Sequence, residues 1–258
     1  MNTVLKNPEL YDLLYKNVTD DLDFYLSILQ DVDEIVEYGA GSGRITIPLA
    51  KQGHKVLAVD NELIMLKRLE EKLAYLPQTI KLRIQTLYAD IVDIRFEKCK
   101  ECILVPFTTF NYLLDKDTQL KCLKNISSSL VDNGLAIFEL ITLNTYPELF
   151  VKNDFVDVNT LWLSDGSYYK YSRATQFDVN SNILRQERVF DYYSEENVFV
   201  RRLKYDWANC YISLKEFRDM ASICGFEVCQ VYGDTSFADY IKDVSNDLFI
   251  ILKKIAVS

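Results

Sequence analysis

The stretch Glu34-Ile35-Val36-Glu37-Tyr38-Gly39-Ala40-Gly41-Ser42-Gly43-Arg44 constrains this chain more than any other. An apolar strand runs into glycines at alternate positions, and a helical pattern beginning Ile45-Thr46-Ile47-Pro48 follows at once. Glycines there let the chain turn without Cβ clashes and let a ligand lie against bare backbone. Free N–H groups at the start of the next helix give the crevice a weak positive end. A strand, glycine loop and helix in this order points to a nucleotide-type cofactor.

Composition narrows the choice of function. The 258 residues suffice for one α/β domain with an insertion. A net charge of −9 argues against a dedicated nucleic-acid binder, which needs a basic face to neutralise phosphates. Seventeen Tyr and fourteen Phe suit either an aromatic-lined pocket or extra core and strand content. No apolar run approaches transmembrane length and no signal pattern opens the chain. Six Cys without framework spacing read as reduced thiols, so a cytoplasmic location is expected. Cys99 and Cys102 form a lone C-x-x-C pair with no second pair or nearby His, and no metal site is expected.

Helical spacing over 10–15 and 23–29 predicts one or two helices before the first strand at 33–38. A helix over 44–52 ends at Gly53, and a short apolar strand follows at 54–60. Next come a helix over 61–76, with Leu63, Met65, Leu66, Leu69 and Leu73 inward, and strands at 80–88 and 101–106. A helix over 117–131 and a strand at 134–140 complete an alternation that predicts a doubly wound, mostly parallel sheet. After Leu143 the texture changes. Segments 159–164, 168–179, 183–193 and 198–207, separated by turn residues, read as an antiparallel meander. A helix over 213–224, opened by a Ser213/Glu216 capping box, and strands at 226–232 and 247–254 close the fold. The expected division is a core of 1–150 with 208–258, and an inserted antiparallel lid of 151–207.

Spacing then bears on the cofactor. A dinucleotide fingerprint wants Gly or Ala one place after Gly43, where Arg44 stands. Asp60 closes the second strand; a carboxylate there accepts from ribose hydroxyls and repels a 2′-phosphate. Asp90-Ile91, after the third strand, offers an acceptor for an exocyclic adenine amine and a backbone N–H for a ring nitrogen. Pro106-Phe107, after the fourth strand, would wall the pocket.

In this order and spacing the chain resembles the class I S-adenosylmethionine-dependent methyltransferases over residues 10–143 and 210–256. The resemblance implies a seven-stranded sheet of order 3-2-1-4-5-7-6 with S-adenosylmethionine as cofactor. It implies that Gly39, Gly41 and Gly43 meet the methionine part, Asp60 the ribose, and Asp90 with Ile91 the adenine, with Asn61 a further cofactor-binding residue. Glu37 is expected to order the glycine loop, and Arg44 to pair with either the cofactor carboxylate or a neighbouring acid. Tyr11 and Tyr15 fit the Y-D-x-x-Y pattern whose tyrosine covers the methionine end in relatives, and Tyr25 is a third candidate cover.

The segment Pro106-Phe107-Thr108-Thr109-Phe110-Asn111-Tyr112-Leu113 lacks the Asn/Asp-Pro-Pro-aromatic tetrad of enzymes that methylate nucleobase or glutamine amides. It is instead similar to that of small-molecule methyltransferases, including sugar-amine N-methyltransferases. In the sugar enzymes a His stands where this chain has Tyr112, leaving that tyrosine either to orient the acceptor or to pack under the lid. In the lid, Tyr168, Tyr169, Tyr171, Arg173, Arg185, Arg188, Tyr192 and Tyr193 alternate, so about half can face the pocket. His54, at the far end of the sheet, reads as structural.

The expected activity is methyl transfer from S-adenosylmethionine to the amine or hydroxyl of a small-molecule metabolite by in-line displacement. Alternatives are an NAD-dependent oxidoreductase and a non-catalytic S-adenosylmethionine-binding protein. No nucleic-acid or membrane partner is expected, and both monomer and homodimer stay open.

Overall fold

Alternation of buried side chains along each central strand builds a sheet with two apolar faces. The computed structural model describes residues 3–146, 149 and 155–256. The strands are β1 Glu34–Tyr38, β2 Lys55–Asp60, β3 Ile84–Tyr88, β4 Lys100–Val105 and β5 Leu130–Ile141. Late in the chain come β10 Phe226–Tyr232 and β11 Asp247–Lys254. Their spatial order is β3-β2-β1-β4-β5-β11-β10, parallel through β5 and antiparallel at β11 and β10. Counting only this sheet's strands, that is the expected 3-2-1-4-5-7-6.

Successive residues of each strand enter opposite cores, as a period of two requires. Val36, Ile103, Val105, Phe138 and Ile250 face one side, where α6 (Lys116–Ser129) and α7 (Leu214–Ile223) pack through Leu123, Ile126, Phe217 and Met220. Ile35, Leu104, Ile137 and Phe249 face the other, against α2 (Asp20–Ile28) and α3 (Thr46–Gln52). α1 (Pro8–Leu14) precedes this layer, and α4 (Leu63–Ala74) follows β2.

Several boundaries differ from the expectation for local reasons. α3 begins at Thr46 rather than Arg44, which puts Pro48 in its first turn, where a missing N–H costs nothing. Pro77 opens a short helical turn, α5 (Gln78–Lys81), so β3 starts at Ile84 rather than residue 80. Leu63 is exposed at the first turn of α4, while Met65, Leu66 and Leu69 are buried as expected. The Ser213/Glu216 capping box is formed at α7, and His54 is buried with Nδ1 2.7 Å from the Val32 carbonyl.

A second sheet holds β6 (Val156–Trp162), β7 (Tyr168–Asp178), β8 (Ile183–Tyr193) and β9 (Phe199–Cys210), antiparallel and in chain order. The boundary expected at residues 150–151 lies outside the described residues. Leu161, Tyr169, Tyr171, Phe190, Tyr205 and Trp207 form the packed face of this sheet, together with Val4 and Leu10 of the N-terminal segment. Tyr171 and Phe190 stack with centroids 4.6 Å apart. Asn111 ties the two sheets: its Nδ2 donates to the Cys210 carbonyl at 2.8 Å, and its Oδ1 accepts from the Ile141 N–H at 3.1 Å. Among the described residues, no helix is long and apolar enough to cross a membrane.

Candidate active site

The carboxyl ends of β1, β2, β3 and β4 open on a cavity of about 360 Å³, the crevice where doubly wound sheets bind ligands. The glycine loop forms one wall. Gly39, Gly41 and Gly43 have φ of 73°, 56° and 83°, left-handed values that suit glycine. A Cβ on Gly39 would fall inside the Thr109 side chain, so the loop and the segment after β4 touch only because glycine stands there.

Asp60 is buried at the end of β2 and holds the loop in place. Its Oδ2 accepts from the Gly41 N–H at 2.7 Å and its Oδ1 from the Glu62 N–H at 2.8 Å. Burial pushes this carboxyl up, opposed by those two hydrogen bonds. A carboxylate has about four acceptor positions, so two remain for ligand hydroxyls. Asp90 is similar: Oδ1 accepts from the Val92 N–H at 2.8 Å and Oδ2 from the Asn61 side chain at 3.1 Å. Asp60, Asn61, Asp90 and Ile91 all line the cavity.

Phe107 and Thr108 follow β4 in left-handed conformations, with φ of 49° and 59°. A β-branched residue there is strained, and such strain persists only where neighbours enforce it. The enforcer is Glu139 on β5, half-buried, whose Oε2 accepts from the Phe107 N–H at 2.8 Å and from the Tyr25 hydroxyl at 2.6 Å. Burial pushes the Glu139 carboxyl up to about 7, and Asp21 adds to the effect. Tyr25 thus lies in the core against Phe249 and Glu139, and its expected place over the methionine end is not where the fold puts it. The Phe107 ring lines the cavity, with the Tyr15 ring edge-on at 4.8 Å and Tyr11 a further 4.7 Å away. Aromatic faces at that spacing suit a sulfonium cation.

Eight of the expected cofactor residues therefore share one wall: Tyr11, Gly39, Gly41, Asp60, Asn61, Asp90, Ile91 and Phe107, with the acceptor candidate Tyr112 beside them. Four stand behind it. Glu37 is buried and accepts from the Thr46 hydroxyl at the start of α3 at 2.6 Å. Burial pushes its carboxyl up to about 8. Gly43 packs under Leu69 and Ile47. Pro106 is buried. Arg44 forms a two-bonded pair with Asp21, at 2.8 and 2.6 Å, and lies 4.3 Å above the Phe107 ring.

Thr3, Leu5, Glu62, Thr109, Leu113 and Trp207 complete the lining, and sequence reasoning did not single them out. Trp207 comes from β9, with its ring centroid 5.3 Å from that of Tyr112. Thr3 Oγ1 and Trp207 Nε1 are buried without a hydrogen-bond partner among the described residues. Strand pairing settles the parity of the second sheet: Tyr169, Tyr171, Arg188 and Tyr192 face inward with Trp207, whereas Tyr168, Arg185 and Tyr193 face away. The donor set fits S-adenosylmethionine. Spare carboxylate acceptors at Asp60 and Asp90 suit ribose and adenine, bare glycine backbone admits the methionine arm, and aromatic rings suit the sulfonium.

The fold, a seven-stranded sheet of order 3-2-1-4-5-7-6, matches that of the class I methyltransferases. Residues 35–134, from β1 to the turn in β5, match the family described as a methyltransferase domain. A curated rRNA adenine N-6-methyltransferase from Bacillus licheniformis is 26% identical over 143 residues, 55% of this chain and 46% of that protein. The chain thus spans about half the length of that relative. An S-adenosylmethionine-dependent methyltransferase from Clostridium acetobutylicum superposes with TM-score 0.77 at 17% identity, covering 97% of this chain and 98% of that one. CalS10, an amino pentose methyltransferase from Micromonospora echinaspora solved with SAM bound, gives 0.69 at 14% identity, covering 93% and 91%. At these identities the solved structures share the fold with this chain. The domain match and the bound SAM in CalS10 agree with S-adenosylmethionine as cofactor.

Proposed function

We propose that the protein transfers the methyl group of S-adenosylmethionine to the amine or hydroxyl of a small-molecule metabolite. The methyl passes in line from the sulfonium sulfur to the acceptor nitrogen or oxygen. Sulfur keeps the bonding pair and leaves as S-adenosylhomocysteine, and the acceptor sheds one proton to solvent. Most of the acceleration then comes from alignment and exclusion of water. An amine that binds neutral needs no protein base, whereas a hydroxyl benefits from one.

The observation that carries this reading is a single cavity lined both by the glycine loop with its acidic partners and by the Tyr112–Trp207 pair. The first set holds the methyl donor, with Glu37, Gly43, Arg44 and Pro106 supporting it from behind. The second set orients the acceptor. In this reading residues 1–150 and 208–258 form the core, and 151–207 form a lid that closes over the acceptor. The likeness to an amino pentose methyltransferase supports an acceptor of that size and kind.

Incubating the protein with methyl-labelled S-adenosylmethionine and cell extract tests this directly. Label should enter a small-molecule fraction. Label found only in RNA or protein, or none at all, overturns the reading.

A further inference from the structure

The inner face of the four-stranded sheet holds a buried cation whose hydrogen-bond partners among the described residues are all neutral. Arg188 is 6% exposed. Its Nε and one NH2 donor reach Gln186 Oε1 at 3.0 and 2.7 Å, and an NH1 donor reaches the Tyr15 hydroxyl at 3.0 Å. Its guanidinium lies 3.5 Å from the centre of the Trp207 ring. The ionisable groups nearest it in influence are Tyr15, Tyr171, Tyr146 and Tyr112, all phenols. Among the described residues no Asp or Glu pairs with it.

A guanidinium has five N–H donors, so two are left over. A cation buried without a counter-charge is costly, and neutral hydrogen bonds with a ring face offset only part of that cost. Beside it on β9, Trp207 Nε1 is buried without a partner, and so is Asn209 Nδ2 two residues further along the same face. Both orphaned groups are donors. Arg173, engaged with Tyr146 through its ring, stands directly opposite Arg188 on β7. Trp207 and Tyr112 carry this donor-rich, positive region to the wall of the cavity.

From this juxtaposition we infer that the methyl acceptor carries an anionic oxygen group, a carboxylate or a phosphate, received by Arg188 with the Trp207 N–H beside it. The inference rests on the small-molecule methyltransferase reading above and names its substrate class. Arg188 and Trp207 then act in acceptor recognition, and the cofactor wall is untouched by them.

The test is to isolate the labelled product formed from S-adenosylmethionine and cell extract and determine its acidic groups by mass spectrometry. Esterification in acidic methanol reports a carboxylate, and phosphatase treatment reports a phosphate monoester. A product bearing either supports the inference and tells the two sources apart. A labelled small molecule bearing neither overturns it while leaving the methyltransferase reading intact; absence of any labelled small molecule overturns both. With the isolated acceptor, Arg188→Met should raise KM at least tenfold, Arg188→Lys should restore part of it, and Trp207→Phe should raise KM several-fold. S-adenosylhomocysteine affinity should stay within twofold in all three. Equal KM in wild type and Arg188→Met also overturns the proposal.

Discussion

The two parts of the cavity wall are built by different physics. On the side of β1 to β4, the lining comes from backbone at positive φ and from carboxylates at strand ends, each already fixed by a backbone N–H. On the side of the four-stranded sheet, it comes from side chains on an antiparallel face, where the Trp207 and Asn209 donors have no hydrogen-bond partner among the described residues. The first part is set by turn geometry and is complete in itself. The second is not, and its chemistry depends on what the acceptor brings.

If that contrast is right, backbone changes on the first side should be the most damaging. Gly39→Val forces a β-branched residue to φ 73° and drives it into Thr109. The cost should exceed about 3 kcal/mol, and calorimetry should show cofactor affinity reduced over a hundredfold. Retained affinity would mean the loop does not touch the ligand.

A second, slightly smaller effect lies behind the loop. Glu37 and Glu139 are raised by burial from an ordinary 4.5 to about 8 and about 7. The folded state therefore holds protons that the unfolded chain releases, and stability falls as pH rises from about 5 through 8. Each group contributes on the order of 3 kcal/mol. Urea denaturation across this range should show the decline, and Glu139→Gln should flatten its lower part. A stability curve flat over this window would place these carboxyls in solvent-like surroundings.

Asp60→Ala should weaken cofactor binding by about 1–3 kcal/mol. Because Asp60 also accepts from the Gly41 and Glu62 N–H groups, the variant should lose thermal stability as well. Loss of stability alone, with affinity unchanged, would reduce Asp60 to a structural bracket. On the other side of the cavity, Tyr112→Phe should lower turnover several-fold with S-adenosylmethionine affinity unchanged, which steady-state kinetics on the isolated acceptor would read. The smallest effect belongs to the Lys6–Glu62 pair at the rim. Lys6→Ala should change stability by less than about 1 kcal/mol, as exposed ion pairs do.

What could be read from sequence follows the same divide. Gly39, Asp60 and Asp90 were legible because parallel strands end at fixed places and a glycine at alternate positions has few other uses. The sheet order followed from the alternation of strands and helices for the same reason. Trp207 was not legible, since its contact with Tyr112 joins segments far apart in the chain, and parity leaves both faces of a meander open until pairing is known. Phe107 and Thr108 adopt backbone angles that their residue types disfavour, so no local rule announces the turn. Tyr25 precedes the first strand as Tyr11 and Tyr15 do, but Glu139, over a hundred residues away, takes its hydroxyl. Thr3 and Leu5 sit in a segment too short to show any periodicity.

The most direct measurement is isothermal calorimetry of the purified protein with S-adenosylmethionine, S-adenosylhomocysteine and NAD in parallel. One equivalent of each sulfur compound should bind, Gly39→Val should abolish that binding, and NAD should give no heat. Saturable binding of NAD with none of either sulfur compound would contradict the assignment of the glycine loop and the cavity it lines.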